Sequence, residues 1–245
     1  MYSETALNPD TEVVRVHSLI LLNGGVGSRV GADQPKQFLK VNGIPILVYS
    51  LTAIDGVAEI GEIVMNYPDG WRPAVEKLLA DYAVKTPVKL VEAGDSRHAS
   101  VAAMIPHCTY DAVLIHEAAR PLVDREDFER LIASDEANVS HMLDIPFTVA
   151  PVDPETSLVT GSLERSRLRN VQLPQKFDKA ALEEAHRRAA AAGQVFTEDA
   201  TLVATAGHRV AFINGRHENF KVTTPTDIRL AGYLAQNQEI ETTYE

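Results

Sequence analysis

Leu19-Ile20-Leu21-Leu22-Asn23-Gly24-Gly25-Val26-Gly27-Ser28-Arg29-Val30-Gly31-Ala32-Asp33-Gln34-Pro35-Lys36-Gln37-Phe38-Leu39 is an apolar run that passes straight into glycines, then an arginine and a Pro-Lys pair. Glycines let backbone N–H groups approach phosphate oxygens closely, and Arg29 and Lys36 add fixed positive charge where phosphate charge collects. The stretch points to a first strand feeding a nucleoside triphosphate loop. It is not a P-loop, because G-x-x-x-x-G-K-[ST] is absent: Ala32 follows Gly31 and Gln37 follows Lys36. Gly25, Gly27 and Val30 approach the dinucleotide fingerprint, but that motif requires a helix to open at once, and Pro35 sits awkwardly for one. An ordinary turn with solvated Arg29 and Lys36 is the alternative reading.

A chain of 245 residues with 45% hydrophobic and 23% charged content has the composition of a globular protein with a substantial core. Its formal charge of -11 argues against broad binding to nucleic acid or anionic membranes, so an anionic ligand needs a local basic pocket. The lone Cys108 excludes an intrachain disulfide framework and fits a reducing compartment. Residues 1–13 are polar and acidic without the pattern of a signal peptide, and are expected to be a flexible extension before a single domain over 14–245. No apolar run has the length of a membrane span, which leads to the expectation of a cytoplasmic protein.

Apolar, β-rich runs recur at Val14–Leu22, Glu62–Asn66, Val88–Glu92, Ala112–His116 and Arg209–Asn214. Helical periodicity appears at Ile46–Ile54, Trp71–Tyr82, Ala99–Ile105, Arg125–Ala133, Lys179–Ala192 and Thr226–Leu234. This alternation predicts an α/β fold, a mostly parallel sheet with helices on both faces and its ligand at the C-terminal strand ends. Residues 147–168 depart from it: two short β-like stretches flank a Pro/Asp/Gly-rich turn. They read as a β-hairpin arm, suited to dimerisation or to packing on its own chain.

Other chemistry-bearing stretches lie where such a sheet would gather them. Gly94-Asp95-Ser96-Arg97-His98-Ala99-Ser100 is rich in donors and acceptors before a helix, with Ser100 near the helix start as a candidate cap. His116-Glu117-Ala118-Ala119-Arg120-Pro121 puts an acid and a base at the end of the fourth strand, at the ligand edge of the sheet, where an exposed ion pair is an equal alternative. Leu173-Pro174-Gln175-Lys176-Phe177 leads into the Lys179 helix. Phe196-Thr197-Glu198-Asp199-Ala200 opens another helix with Thr197 as natural N-cap. Lys221, between the last strand and the C-terminal helix, is a candidate phosphate ligand.

Six of these blocks, in this order and spacing over roughly residues 16 to 235, resemble the cytidylyltransferases that make 4-diphosphocytidyl-2-C-methylerythritol and their relatives that make CDP-ribitol. The resemblance implies a Rossmann-like nucleotidyltransferase domain with a dimerising hairpin arm. It implies catalytic roles for Arg29, Lys36 and Lys221 on phosphates. Nucleotide contacts would come from Asn23, Gly24, Gly25, Gly27, Gly94, Asp95, Ser100, Glu117 and Ala118. Arg165 (or Arg167), Thr197 and Glu218 would gather at the acceptor. Mg²⁺ is the implied cofactor, held mainly through phosphates, with Glu117 as a candidate protein ligand. The implied partners are CTP, a small phosphorylated alcohol and a second copy of the chain.

Three positions depart from the usual pattern. Glu117 stands for aspartate, Leu173 for threonine, and Asn23-Gly24-Gly25 for Ala-Ala-Gly or Ala-Gly-Gly. Leu173 cannot donate a hydrogen bond, which raises an altered acceptor site, with ribitol 5-phosphate or a phosphonate as alternatives to 2-C-methyl-D-erythritol 4-phosphate. A nicotinamide-dependent dehydrogenase is disfavoured, because the second strand ends Val64-Met65-Asn66-Tyr67-Pro68 without an acidic residue. A non-catalytic nucleotide-binding protein is the alternative from another class.

Overall fold

The computed structural model describes residues 16–25 and 34–237. The expected N-terminal extension and the loop positions Gly27 and Arg29 lie outside the described residues. The apolar run becomes β1 (His17–Leu22), and its burial on both faces explains its composition. Leu19 and Leu21 face one core, with Leu47 and Leu51 of α1 (Ile46–Asp55), Val75 and Leu78 of α2 (Arg72–Asp81), and Phe128 and Leu131 of α4 (Arg125–Ile132). Ile20 faces the other, with Val101 and Met104 of α3 (Arg97–Met104), Leu182 and Ala185 of α5 (Lys179–Ala191), and Leu202 and Val203 of α6 (Asp199–Thr205). Successive side chains of one strand thus anchor two helical layers.

After β1, the strands are β2 (Lys40–Val41), β3 (Ile44–Pro45), β4 (Ile60–Tyr67), β5 (Val88–Glu92), β6 (Ala112–Glu117), β7 (Val139–Asp144), β8 (Val152–Asp153), β9 (Leu158–Val159), β10 (Arg169–Asp178) and β11 (Ala211–Asn214). The central seven-stranded sheet has the order β11-β7-β10-β6-β1-β4-β5. Every neighbouring pair is parallel except those of β10, which is antiparallel to both β6 and β7. Chain order reverses across β1, with β4 on one side and β6 on the other, which creates a switch-point crevice at the C-terminal strand ends.

Two central strands go beyond the sequence expectation, β7 and β10. β10 reads Arg-Asn-Val-Gln-Leu-Pro-Gln-Lys-Phe-Asp, which has neither clean alternation nor an apolar run. Pro174 is accommodated where the pairing with β7 shifts register between Gln172 and Gln175, as proline in a sheet requires. The helix caps also differ from expectation. Ser96, not Ser100, caps α3 by accepting from the Ala99 N–H, and Glu198, not Thr197, caps α6 by accepting from Ala200 and Thr201.

The small β2–β3 hairpin turns on Asn42-Gly43, both at positive φ, as a two-residue hairpin turn demands. It packs in a third cluster with α7 (Pro225–Leu234) through Val41, Ile46, Val222 and Ala231. Within 147–168 the chain forms the β8–β9 ribbon, with Val152, Leu158 and Val159 exposed.

Candidate active site

Four parallel strands deliver their C-terminal ends to one crevice. β1 leads into Asn23-Gly24-Gly25, β4 carries Asn66 one residue before its end, β5 runs on to Gly94-Asp95, and β6 ends at Glu117 and leads into Ala118. Together with Lys36, Gln37, Arg97, Ser100 and Lys221 they line a cleft of about 360 Å³. Ser100 Oγ accepts the Gly94 N–H at 3.1 Å, so it shapes the loop rather than the helix end. A side chain on Gly94 would crowd Ala99 and the Ser100 N–H at 3.0–3.1 Å.

A second cavity, of about 840 Å³, adjoins the first because β10 runs the other way: its beginning lies beside the end of β7. Leu143–Phe147, Arg169–Gln172, Thr197, Glu198, Arg120, His217 and Lys221 line it. Lys221 lines both cavities. Its loop is held by hydrogen bonds that cross the sheet. Gln172 Nε2 donates to the carbonyls of Arg216 and Asn219, Asn219 Nδ2 donates to Leu173 O at 2.8 Å, Arg120 Nη1 donates to Asn219 O, and Val222 N–H donates to Ala119 O. Lys36 Nζ donates to Val222 O at 3.0 Å, which brings a second cation to the Lys221 loop from 186 positions away in the chain.

At the centre of the crevice stands Glu117, whose side chain is only 9% exposed. Its carboxylate lies 2.9 Å from Lys221 Nζ and 3.5 Å from both Arg97 Nε and Arg120 Nε. Burial pushes its pKa up, but Lys221, Arg120 and Arg97 outweigh that and hold it at about 2. The folded-state value is below the ordinary 4.5, so the ionised carboxylate stabilises the fold. That contribution is complete above about pH 4.5 and is lost as pH falls towards 2. Glu117→Gln is expected to flatten this part of the acid limb in denaturation curves collected across that pH range.

Arg97 extends the network away from the crevice. Its Nη2 pairs at 2.6 Å with Asp199, which is 1% exposed and also lies 3.4 Å from His186 Nε2; the His98 ring stacks on His186. Arg97, Arg120 and Asp199 carry no role in the sequence reading, although each lies inside a block singled out there. A charged residue next to a glycine-rich loop or at a helix start was the available signal.

Several expectations are corrected by placement. His116 is not a base at the crevice: it is fully buried with its ring edge-on to Phe128, and burial pushes its pKa down to about 3. Leu173 lines neither cavity; its side chain packs with Ile115 and Phe177 in the core, so its lack of a hydroxyl does not reach the acceptor side. Within one chain Arg165 donates to Pro146 O and lines a separate recess, Glu218 lines neither cavity and Arg169 lines the second one, an arrangement that leaves an Arg165 reaching a neighbouring subunit's site untouched. Glu117 does not fit as a metal ligand, because its oxygens already face three cations. No group of three or more His, Cys, Asp or Glu side chains that could hold a metal occurs among the described residues. No described helix is long and apolar enough to cross a membrane.

A switch-point crevice lined by glycines, with Lys36 and Lys221 at its edge and a second cavity beside it, suits a nucleotidyltransferase. The family model described as IspD, 2-C-methyl-D-erythritol 4-phosphate cytidylyltransferase, matches residues 17–237. The enzyme of that name from Bacillus thuringiensis (strain Al Hakam) is 35% identical over 217 residues, covering 88% of this chain and 96% of its own. The crystal structure of the enzyme of that name from Thermus thermophilus is 32% identical, with a TM-score of 0.71 over 88% of this chain and 97% of its own. A 4-diphosphocytidyl-2C-methyl-D-erythritol synthase structure from Anaerococcus prevotii DSM 20548, 22% identical, shares the fold with a TM-score of 0.79 over 91% of this chain and 97% of its own. The chain belongs to the 2-C-methyl-D-erythritol 4-phosphate cytidylyltransferase family and is a CTP-dependent cytidylyltransferase.

Proposed function

We propose that a phosphate oxygen of 2-C-methyl-D-erythritol 4-phosphate, bound in the second cavity, attacks the α-phosphorus of CTP in the first. The new P–O bond forms as the bond from the α-phosphorus to the bridging oxygen breaks, and pyrophosphate leaves. The attacking monoester is largely ionised near neutral pH, so no side chain has to remove a proton. Catalysis rests on positioning and on cations that offset charge growing on the phosphoryl oxygens. The observation that carries this reading is Lys221, which lines both cavities.

Lys36 and Arg29 complete the phosphate-binding set in this proposal. Asn23, Gly24, Gly25, Gly27, Gly94, Asp95, Ser100 and Ala118 hold the nucleotide. Glu117 orients Lys221 and the two arginines, while Thr197 and Arg169 meet the acceptor. A divalent cation, Mg²⁺, belongs with the phosphates of CTP and, when bound, neutralises part of their charge.

Pyrophosphate release from CTP with Mg²⁺ tests the reading, with methylerythritol phosphate, ribitol 5-phosphate and a small phosphonate run in parallel. The first is expected to give a kcat/KM about tenfold or more above the others. Release with none of them overturns the assignment, and a preference for ribitol phosphate or the phosphonate reassigns the acceptor.

The β8–β9 ribbon is proposed as a homodimer contact, since Val152, Leu158 and Val159 are each more than half exposed on a two-stranded element that cannot bury them itself. Light scattering at the monomer mass would remove that role. The cytoplasm is the proposed location: Cys108 is buried, and burial pushes its thiol up to about 12, which suits a protein without disulfides.

A further inference from the structure

The wall of the nucleotide cleft contains a hydrogen-bond donor whose direction is set by its neighbours. Asn66, one residue before the end of β4, is 1% exposed, and its Oδ1 accepts the Asn23 N–H at 2.5 Å. Oδ1 is therefore the acceptor end of the amide, and Nδ2 is the donor end. Among the described residues no acceptor receives a hydrogen bond from Nδ2. Gly24 makes room for it: a Cβ on Gly24 would lie 2.6 Å from Nδ2 and 2.5 Å from Ala93 Cβ. Asn23 is itself anchored, since its carbonyl accepts from Gln37 Nε2, and its buried side-chain amide has no partner at either end. Asn23, Gly24 and Asn66 all line the cleft. A buried amide without a partner is destabilising, so that of Asn23 points to a partner that the ligand supplies, and Asn66 lines the same cleft beside it.

We propose that Asn66 determines nucleotide specificity, with its Nδ2 donating to the ring acceptor that cytosine has and uracil lacks. This rests on the cytidylyltransferase reading. Cytosine presents N3 as an acceptor, whereas uracil carries an N–H at that position. A donor held in place by Asn23 and given space by Gly24 bonds to the first and opposes the second. Asn23-Gly24 is thus matched to Asn66, and an alanine at position 24 would collide with it.

The experiment is calorimetric titration of CTP and of UTP into the full chain without acceptor, for the wild type, Asn66→Asp and Asn66→Ala. Asn66→Asp keeps an oxygen for the Asn23 N–H but replaces the donor by an acceptor. Its added charge repels both triphosphates alike and cancels in the ratio of their dissociation constants. The UTP-to-CTP ratio is expected to fall about tenfold or more in Asn66→Asp, and to fall in Asn66→Ala. An unchanged ratio in variants that still melt cooperatively overturns the proposal, and if Asn66→Asp does not fold, Asn66→Ala decides alone. Absence of pyrophosphate release by the wild type would instead overturn the cytidylyltransferase reading, while the ratio of dissociation constants still reports on Asn66.

Discussion

Lys221→Met is expected to lower kcat by roughly 10²–10³-fold and leave the protein folded. The ammonium group stands between the two cavities, 2.9 Å from Glu117, where it can meet phosphate charge from either substrate. Its removal does not orphan Glu117, because Arg97 and Arg120 still face the carboxylate. The melting transition should therefore stay close to that of the wild type. Steady-state pyrophosphate release at saturating CTP and acceptor measures the effect. A rise in one KM at constant kcat would make Lys221 a contact that holds that substrate equally in the ground and transition states. Lys36→Met should likewise lower kcat, since its ammonium reaches Val222 O beside Lys221 and lines the nucleotide cleft.

Arg97→Ala has its largest effect on stability, a loss of about 3–5 kcal/mol. Asp199 is 1% exposed, and its ion pair with Arg97 is shorter than its contact with His186, so truncation leaves a buried carboxylate with inadequate compensation. For a chain of this size that corresponds to a drop of roughly 10 °C in melting temperature. The double change Arg97→Leu with Asp199→Leu should recover much of the loss, because the buried charge is gone as well, and should not recover activity. Urea denaturation of the wild type, both single leucine variants and the double variant forms the cycle. Equal stability of Arg97→Ala and the wild type would show that the pair holds nothing together.

Much of the fold was legible because its strands and helices announce themselves locally. Leu19-Ile20-Leu21-Leu22 is apolar without alternation because both its faces are covered, and the switch-point rule then puts the glycines beside the ligand. β10 was not legible. Its Pro174 and the polar residues of its interior, Asn170, Gln172, Gln175 and Lys176, read as a connection, yet Gln172 and Gln175 are buried because their amides bond partners on other segments. A polar side chain can occupy a sheet interior when long-range partners satisfy it, and no local pattern reports those partners. The same reason hid Asn66, which in sequence is merely a polar end to a strand.

By itself, the sequence determined the alternation of strands and helices, the glycine turn after β1, the six blocks that mark the family and the cations Lys36 and Lys221 as candidates for phosphate binding. These depend on local periodicity, backbone freedom and residue chemistry, all of which are carried within short stretches of chain. Only the tertiary structure decided that Leu173 belongs to the core, that Glu117 is shared by three cations rather than offered to a metal, that Arg97 leans on Asp199, and that Gly24 leaves space for Asn66. Those facts follow from strand order and direction: the antiparallel β10 sits between β6 and β7, and β4 lies beside β1, so residues far apart in sequence meet at one edge of the sheet.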